Sequence, residues 1–176
     1  MNIYLDNVNF SSSSGPNSFG RKLAKELIKL GHKIDEQDPA EIDVILTFIM
    51  SNLKTKFKPM VQRLDGIYFN IAQDYKAQNS PIRMTYEMSD GVIFQSNFNK
   101  KLTEKYFGEH RNSHVIRNGT NFEDIEKIMP LKHHVIDSFE EVWSCASSWR
   151  PHKRLNENVR YFLEHAPEKA CLVIAG

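Results

Sequence analysis

Three stretches of this sequence put charged or conformationally permissive residues where chemistry could be done. The first is Ser11-Ser12-Ser13-Ser14-Gly15-Pro16, which opens a helical pattern. Free backbone N–H groups and the positive end of a helix dipole suit such a loop to a phosphate, and Gly15 would let backbone approach a ligand. It is neither a GxGxxG nor a GxxxxGKS/T loop, so taken alone it reads more simply as a strand-to-helix turn. The second stretch is Arg63-Leu64-Asp65-Gly66. Its guanidinium suits a phosphate or carboxylate and its carboxylate suits sugar hydroxyls; a structural ion pair before a turn explains the residues equally well. The third is Ser147-Ser148-Trp149-Arg150-Pro151-His152-Lys153-Arg154, three fixed positive charges ahead of a helix. Lys as a point charge, Arg as a bidentate donor and the N–H groups behind them suit a diphosphate, and a solvated basic loop is the competing account.

Other chemistries find no footing. His133-His134 are adjacent, and on a helix or strand neighbouring side chains point apart. His110 and His114 are four apart but interrupted by the turn-forming Asn112-Ser113. No HExxH or other ligand spacing occurs, so no bound metal is expected. No GxSxG is present, and neither Cys145 nor Cys171 is placed as a nucleophile. Trp143 and Trp149 read as core and pocket wall rather than as platforms for nucleic acid.

The elements that must position these residues alternate. Ile3 to Leu5 predicts a first strand. Phe19, Leu23, Leu27 and Leu30 then recur at helical spacing, closed by Gly31. Strands are expected at His32–Asp35, Val44–Met50, near Met60–Leu64 or Ile67–Phe69, at Val92–Phe94 and at His114–Ile116. A helix is expected over Ile82–Met88, after Pro81. Ser96 reads as the N-cap of a helix with Phe98, Leu102 and Tyr106 four apart and Gly108 at its end. Phe122–Met129 reads as a short helix. This alternation predicts an α/β fold, a parallel sheet with helices on both faces and ligands at the carboxyl ends of the strands. From about Glu140 a second unit reads as one βαβ: a strand at 141–146, a helix marked by Leu155, Val159 and Phe162, and a strand at 170–175.

Composition narrows the setting. The chain has 176 residues, 40% hydrophobic and 26% charged, within the range of ordinary globular proteins. Lys and Arg number 23 against 22 Asp and Glu, so no net field draws it to nucleic acid. No apolar stretch approaches the roughly 20 residues of a membrane helix, and the N-terminus lacks the pattern of a signal peptide. Two cysteines without CxxC spacing fit a reduced, cytoplasmic setting, with both thiols as small core residues. Peripheral attachment to a membrane stays open.

In order along the chain, these segments resemble the GT-B glycosyltransferases, specifically the retaining glycosyltransferase family 4 type. Gly15-Pro16 through Gly31-His32-Lys33-Ile34 resembles that family's glycine loop, first helix and second strand. Arg63-Leu64-Asp65-Gly66 is similar to an RLDG stretch of some members. Asp90 to Ser96 resembles its AD-x-V-I-x-S strand, and Val115 to Asn121 its V-I-x-N-G-V-D stretch. Ser147 to Leu155 and Leu172 to Gly176 resemble the opening of its nucleotide-binding domain.

The resemblance implies a Rossmann-like N-terminal domain over 1–136 and the beginning of a C-terminal domain over 137–176, a GT-B fold cut short. It implies transfer of a sugar, with retention, from a nucleoside-diphosphate sugar to a carbohydrate or lipid-linked acceptor, without a metal or other cofactor. Gly15 would then lie beside the donor phosphate, Lys153 would bind the diphosphate, and Arg150 would reach it from a shifted position. The Arg expected five residues before Lys153 is Ser148 here. Pro16, Arg63, Asp65, Gly66, Ser96, Asn118 and Gly119 would line the acceptor side or the cleft. The sequence ends before the family's E-x7-E segment, so the chain alone is expected to have little or no activity. Two other readings are a stand-alone carbohydrate- or partner-binding module without catalysis, and a related epimerase or glycogen-phosphorylase-like enzyme; the Asn118-Gly119 and Ser147–Lys153 stretches disfavour the latter.

Overall fold

A computed structural model describes residues 1–12, 14–34, 39–129 and 133–176. The chain divides into two compact units, Met1–Gly119 and Thr120–Gly176. The division lies upstream of the 136/137 boundary read from the sequence, so the short helix after Asn121 belongs with the second unit.

The first unit is α/β and Rossmann-like. Its strands are β1 (Asn2–Asp6), β2 (Lys33–Ile34), β3 (Val44–Phe48), β4 (Met60–Leu64), β5 (Gly91–Phe94) and β6 (Ser113–Val115). They form one sheet in the order β2-β1-β3-β4-β5-β6, and every pairing is parallel. The helices are α1 (Gly15–Lys29), α2 (Tyr75–Met88) and α3 (Asn97–Phe107). On one face Phe19, Leu23 and Leu27 of α1 pack on Ile3, Leu5 and Phe48. On the other, Ile82 and Tyr86 of α2 and Leu102 and Phe107 of α3 pack on Leu64, Val92 and Phe94. Burial on both faces explains why the strands read as near-continuous apolar runs.

Local chemistry sets the boundaries. The end of α1 is a Schellman motif: Gly31 takes φ 84°, its N–H donates to Ile28 O at 2.9 Å, and His32 N–H donates to Leu27 O at 3.0 Å. Leu30, expected on the apolar face, falls at this cap and is exposed. β3 stops at Phe48 rather than Met50, because Ile49 turns into the left-handed region at φ 68° and Met50 N–H closes a tight turn onto Phe48 O. α2 begins seven residues earlier than Ile82, at Tyr75, capped by the Asp74 carboxylate accepting from Ala77 N–H at 3.1 Å. Pro81 therefore sits inside the helix, where it removes one backbone bond, and Thr85 Oγ1 donates to its carbonyl at 3.0 Å. Ser96 caps α3 as expected, accepting from Asn99 N–H at 3.1 Å.

The second unit holds a short helix α4 (Phe122–Glu126), then β7 (Glu141–Ala146), α5 (Leu155–His165) and β8 (Ala170–Ala175), with β7 and β8 paired in parallel. Trp143 packs edge-on against Phe162 with ring centroids 5.6 Å apart. Among the described residues of this unit none is buried, and Cys145 and Cys171 are free and half-exposed rather than core residues. One βαβ offers too little surface to enclose a core.

Candidate functional site

Order reverses between β1 and β3, since β2 lies outside β1 while β4, β5 and β6 run the other way. Such a switch point opens a crevice at the carboxyl ends of the strands. Here it is a cavity of about 420 Å³ lined by residues 4–9, by Ser14, Pro16 and Asn17, and by Phe48, Ile49 and Asn52. Its floor is held by Asp6, which is buried and accepts from Thr47 Oγ1 at 2.9 Å, from Ser51 Oγ and from Asn52 N–H at 3.3 Å. Asn7 is also left-handed, at φ 60°, and its Nδ2 donates to Phe48 O at 2.8 Å. Two non-glycine residues in this region, one of them β-branched, mark a strained edge held by its surroundings. Among the described residues the lining holds amides, the hydroxyls of Tyr4 and Ser14 and a carboxylate, and no Lys or Arg.

Pro16 lines this cavity, and Gly15 begins α1 beside it. Ser14 makes no side-chain cap; its Oγ accepts from Asn17 Nδ2 at 2.9 Å instead. A Cβ added at Gly15 would meet no atom within 4 Å. The glycine is therefore not required by the packing of the protein around it.

A second cavity, of about 450 Å³, lies where β4, β5 and β6 end. It brings together Asp65, Gly66, Ser96 and Asn118, with Gln95 and Arg117. Arg63 stands behind it. Its guanidinium lies 3.7 Å from the centroid of the Phe19 ring, ion-pairs with Asp65, and donates to Asn118 Oδ1 at 3.0 Å. Burial pushes the guanidinium pKa down while Asp65 opposes the shift, and the group stays charged. The ion pair thus forms, and Arg63 serves to orient Asp65 and Asn118. Asn118 Nδ2 continues the chain of bonds to Gln95 Oε1 at 3.2 Å. Gly119 lines neither cavity, and a Cβ there would also meet open space.

Two buried asparagines hold this pocket, and the sequence reading passed over both. Asn79 of α2 accepts from Tyr68 N–H at 2.9 Å and donates to Tyr68 O at 2.6 Å, so it pins the loop after Gly66 as a neighbouring strand would. Asn99 of α3 donates to Leu64 O at 2.6 Å, tying the end of β4 to the start of the helix. Asn is a poor helix-interior residue, and its presence on the inward face of two helices is the signal that would have found them.

In the second unit, Pro151–Lys153 form a 3-10 turn and Arg154 starts α5 in the left-handed conformation, φ 58°, without a side-chain cap. A cavity of about 300 Å³ there is lined by Trp149, Arg150, Pro151, Arg154 and the first residues of α5. Trp149 is fixed by donating Nε1–H to Ala175 O at 3.0 Å. Lys153 is exposed but not among the lining, whereas Arg154 and Trp149 join Arg150 there. Arg154 approaches Glu157 at 3.7 Å.

The His133 and His134 rings, expected to diverge, stack with centroids 4.9 Å apart at 17°, because they lie in neither a helix nor a strand. Among the described residues no group of three or more His, Cys, Asp or Glu is arranged to hold a metal, and no helix is long and apolar enough to cross a membrane. The fold and its carboxyl-edge crevices define a Rossmann-like α/β protein. Neither a protein-family model nor a curated protein matches the chain.

Proposed function

We propose that this chain carries the acceptor side, and part of the donor side, of a retaining nucleotide-sugar glycosyltransferase of the GT-B type. In that reaction the bond from the anomeric carbon to the diphosphate breaks, an acceptor oxygen takes its place and loses its proton, and the nucleoside diphosphate leaves. One observation supports the reading above the others: the two units divide the required chemistry. The first offers amides, hydroxyls and the Asp65 carboxylate, groups that recognise sugar hydroxyls, at the carboxyl edge of a parallel sheet. The second offers Arg150 and Arg154 beside an uncapped helix N-terminus and an indole, with Lys153 close in sequence. Those groups suit a diphosphate and a base stacked on Trp149. Stabilising a leaving diphosphate by charge needs no metal when cations are already placed. A cytoplasmic setting, where nucleotide sugars are the donors, goes with the reading.

The test is calorimetric titration of the chain with UDP, GDP and ADP, then with their sugar conjugates. One nucleoside diphosphate is expected to bind, and Lys153→Ala and Arg150→Ala each to weaken it about tenfold or more, the loss of one charge-assisted contact. Unchanged affinity in both variants would remove the basic turn from the donor site. Diphosphate binding without any sugar affinity in the first unit would leave a nucleotide-binding module in place of a transferase.

A further inference from the structure

Another cavity of the first unit, of about 390 Å³, lies between α2 and α3 and shares no lining residue with the two strand-end pockets. Its walls are aromatic. Tyr75, the first residue of α2, and Tyr106, near the end of α3, meet edge to face with ring centroids 6.4 Å apart. Phe107 adds a third ring, packed on the core and edge-on against Tyr86 at 5.5 Å. The polar groups between these rings are of one kind. Asn79 is buried and already engaged by Tyr68. The hydroxyls of Tyr75, Tyr106 and Ser80 and the Lys76 ammonium have no hydrogen-bond or ion-pair partner among the described residues. Arg83 donates Nε–H to Glu87 at 2.7 Å and keeps the donors of its terminal nitrogens. Lys105 brings a further cation 5.9 Å from the centroid of the Tyr106 ring. No carboxylate is among the lining residues.

We infer that this cavity binds a small aromatic anion, one flat ring bearing a carboxylate or a phosphate. The ring lies against Tyr75, Tyr106 and Phe107, whose edge-to-face arrangement leaves π surface for a further ring. The acidic group takes the Lys76 ammonium, the terminal nitrogens of Arg83 and the phenol O–H donors. Each alternative leaves part of the site unused. A neutral ring would make no use of the two lining cations, and an inorganic anion would make none of the three rings. A cationic ligand would be repelled by Lys76 and Arg83. The volume falls within the roughly 300–1,000 Å³ of small-ligand pockets. Both helices are packed on the sheet, so the walls stand on a rigid scaffold. The site uses no residue assigned to the glycosyltransferase reading and stands or falls without it.

The experiment is an amide chemical-shift titration of the full chain with benzoate and with phenyl phosphate, beside benzamide and inorganic phosphate. The first two probes tell a carboxylate ligand from a phosphate ligand. At least one of them is expected to move the amides of residues 75–83 and 103–107. It should bind about tenfold or more tightly than benzamide, the effect of one charge-assisted contact, and exceed inorganic phosphate by a similar factor. Lys76→Ala should lower that affinity about tenfold and Lys76→Arg should restore it, while Tyr106→Ser should erase the preference over inorganic phosphate. Lys76 and Tyr106 are both exposed, so neither substitution opens the core, and a thermal melt of each variant checks that the fold is kept. The inference is overturned if benzamide or inorganic phosphate binds as tightly as the aryl anions, or if Lys76→Ala leaves their affinity unchanged. Shifts confined to residues 149–157, or no binding at all, would overturn it equally.

Discussion

The two units follow the same βαβ grammar and reach different ends. In Met1–Gly119 six parallel strands are covered on both faces, and Phe48, Phe94, Ile45, Met60 and Leu64 are almost wholly buried. In Thr120–Gly176 two strands and one main helix leave no described residue buried, with Tyr161 and Leu163 of α5 mostly in water. The alternating pattern of β7, α5 and β8 is as clear as that of β5 and α3. Patterning chooses the type of element, whereas the number of layers determines whether its apolar stripe meets a partner. A ligand site in the first unit thus rests on a packed scaffold. The basic pocket of the second rests on one strand pair, one helix and the Trp149 bond to Ala175.

The sharpest way to break this contrast is amide hydrogen exchange. Slow exchange is expected through β3, β4 and β5, and fast exchange through β7 and β8; equal protection would show that the second unit is as stable as the first. Substitution should agree. Phe94→Ala should cost about 3–5 kcal/mol in denaturant unfolding, and Phe162→Ala well under half of that. Next in size is Asn99→Ala, which leaves Leu64 O without its donor and should cost about 1–3 kcal/mol while loosening the Asp65 pocket. A retained melting point with unchanged sugar affinity would deny Asn99 its positioning role.

Alkaline titration gives a smaller effect of definite sign. Burial, reinforced by Glu104 and Glu109, pushes the Tyr86 hydroxyl pKa up to about 12. Its O–H also donates to Gly108 O at 2.9 Å. A pKa raised on folding adds stability that is complete below the unfolded value near 10 and is lost as pH rises through 12. The first unit should therefore lose roughly 1–3 kcal/mol between about pH 10 and 12, and Tyr86→Phe should flatten that part of its profile. The smallest effect belongs to Gly15→Ala. With open space at the Cβ and a helical backbone, it should stabilise α1 by about 0.4–1 kcal/mol. A fall in nucleotide-sugar affinity despite that gain would place a ligand where the methyl group goes.

Much of the fold was legible in the sequence. Seven of the strands lie at or within two residues of where apolar runs such as Val92–Phe94 put them, and for β1, β3 and β5 the reason is that parallel strands buried on both faces leave a strong signal. Two features escaped it for physical reasons. Pro81 looked like a helix start, yet Thr85 and the Asp74 cap let the helix run through it. Ile49 gave no hint of a left-handed turn, since the bonds that hold it there come from β4: its N–H donates to Arg63 O at 2.9 Å and its carbonyl accepts from Gln62 Nε2 at 2.6 Å. Of the candidate site residues, Arg63, Asp65, Gly66, Ser96 and Asn118 were legible through loop chemistry at strand ends, and they do come together. Asn79 and Asn99 left only the weak signal of an asparagine on the inward face of a helix, and Asp6 left none, because its partner Thr47 lies 41 residues away.

The account turns on the division of labour between the units, and amide chemical-shift mapping of the full chain reads it directly. A nucleoside diphosphate should move the amides of residues 149–157, and a methyl hexoside those of residues 65–69, 95–99 and 117–118, each in its own set. Diphosphate shifts confined to the Asp65–Asn118 pocket, or no shift at all around Arg150 and Lys153, would contradict it.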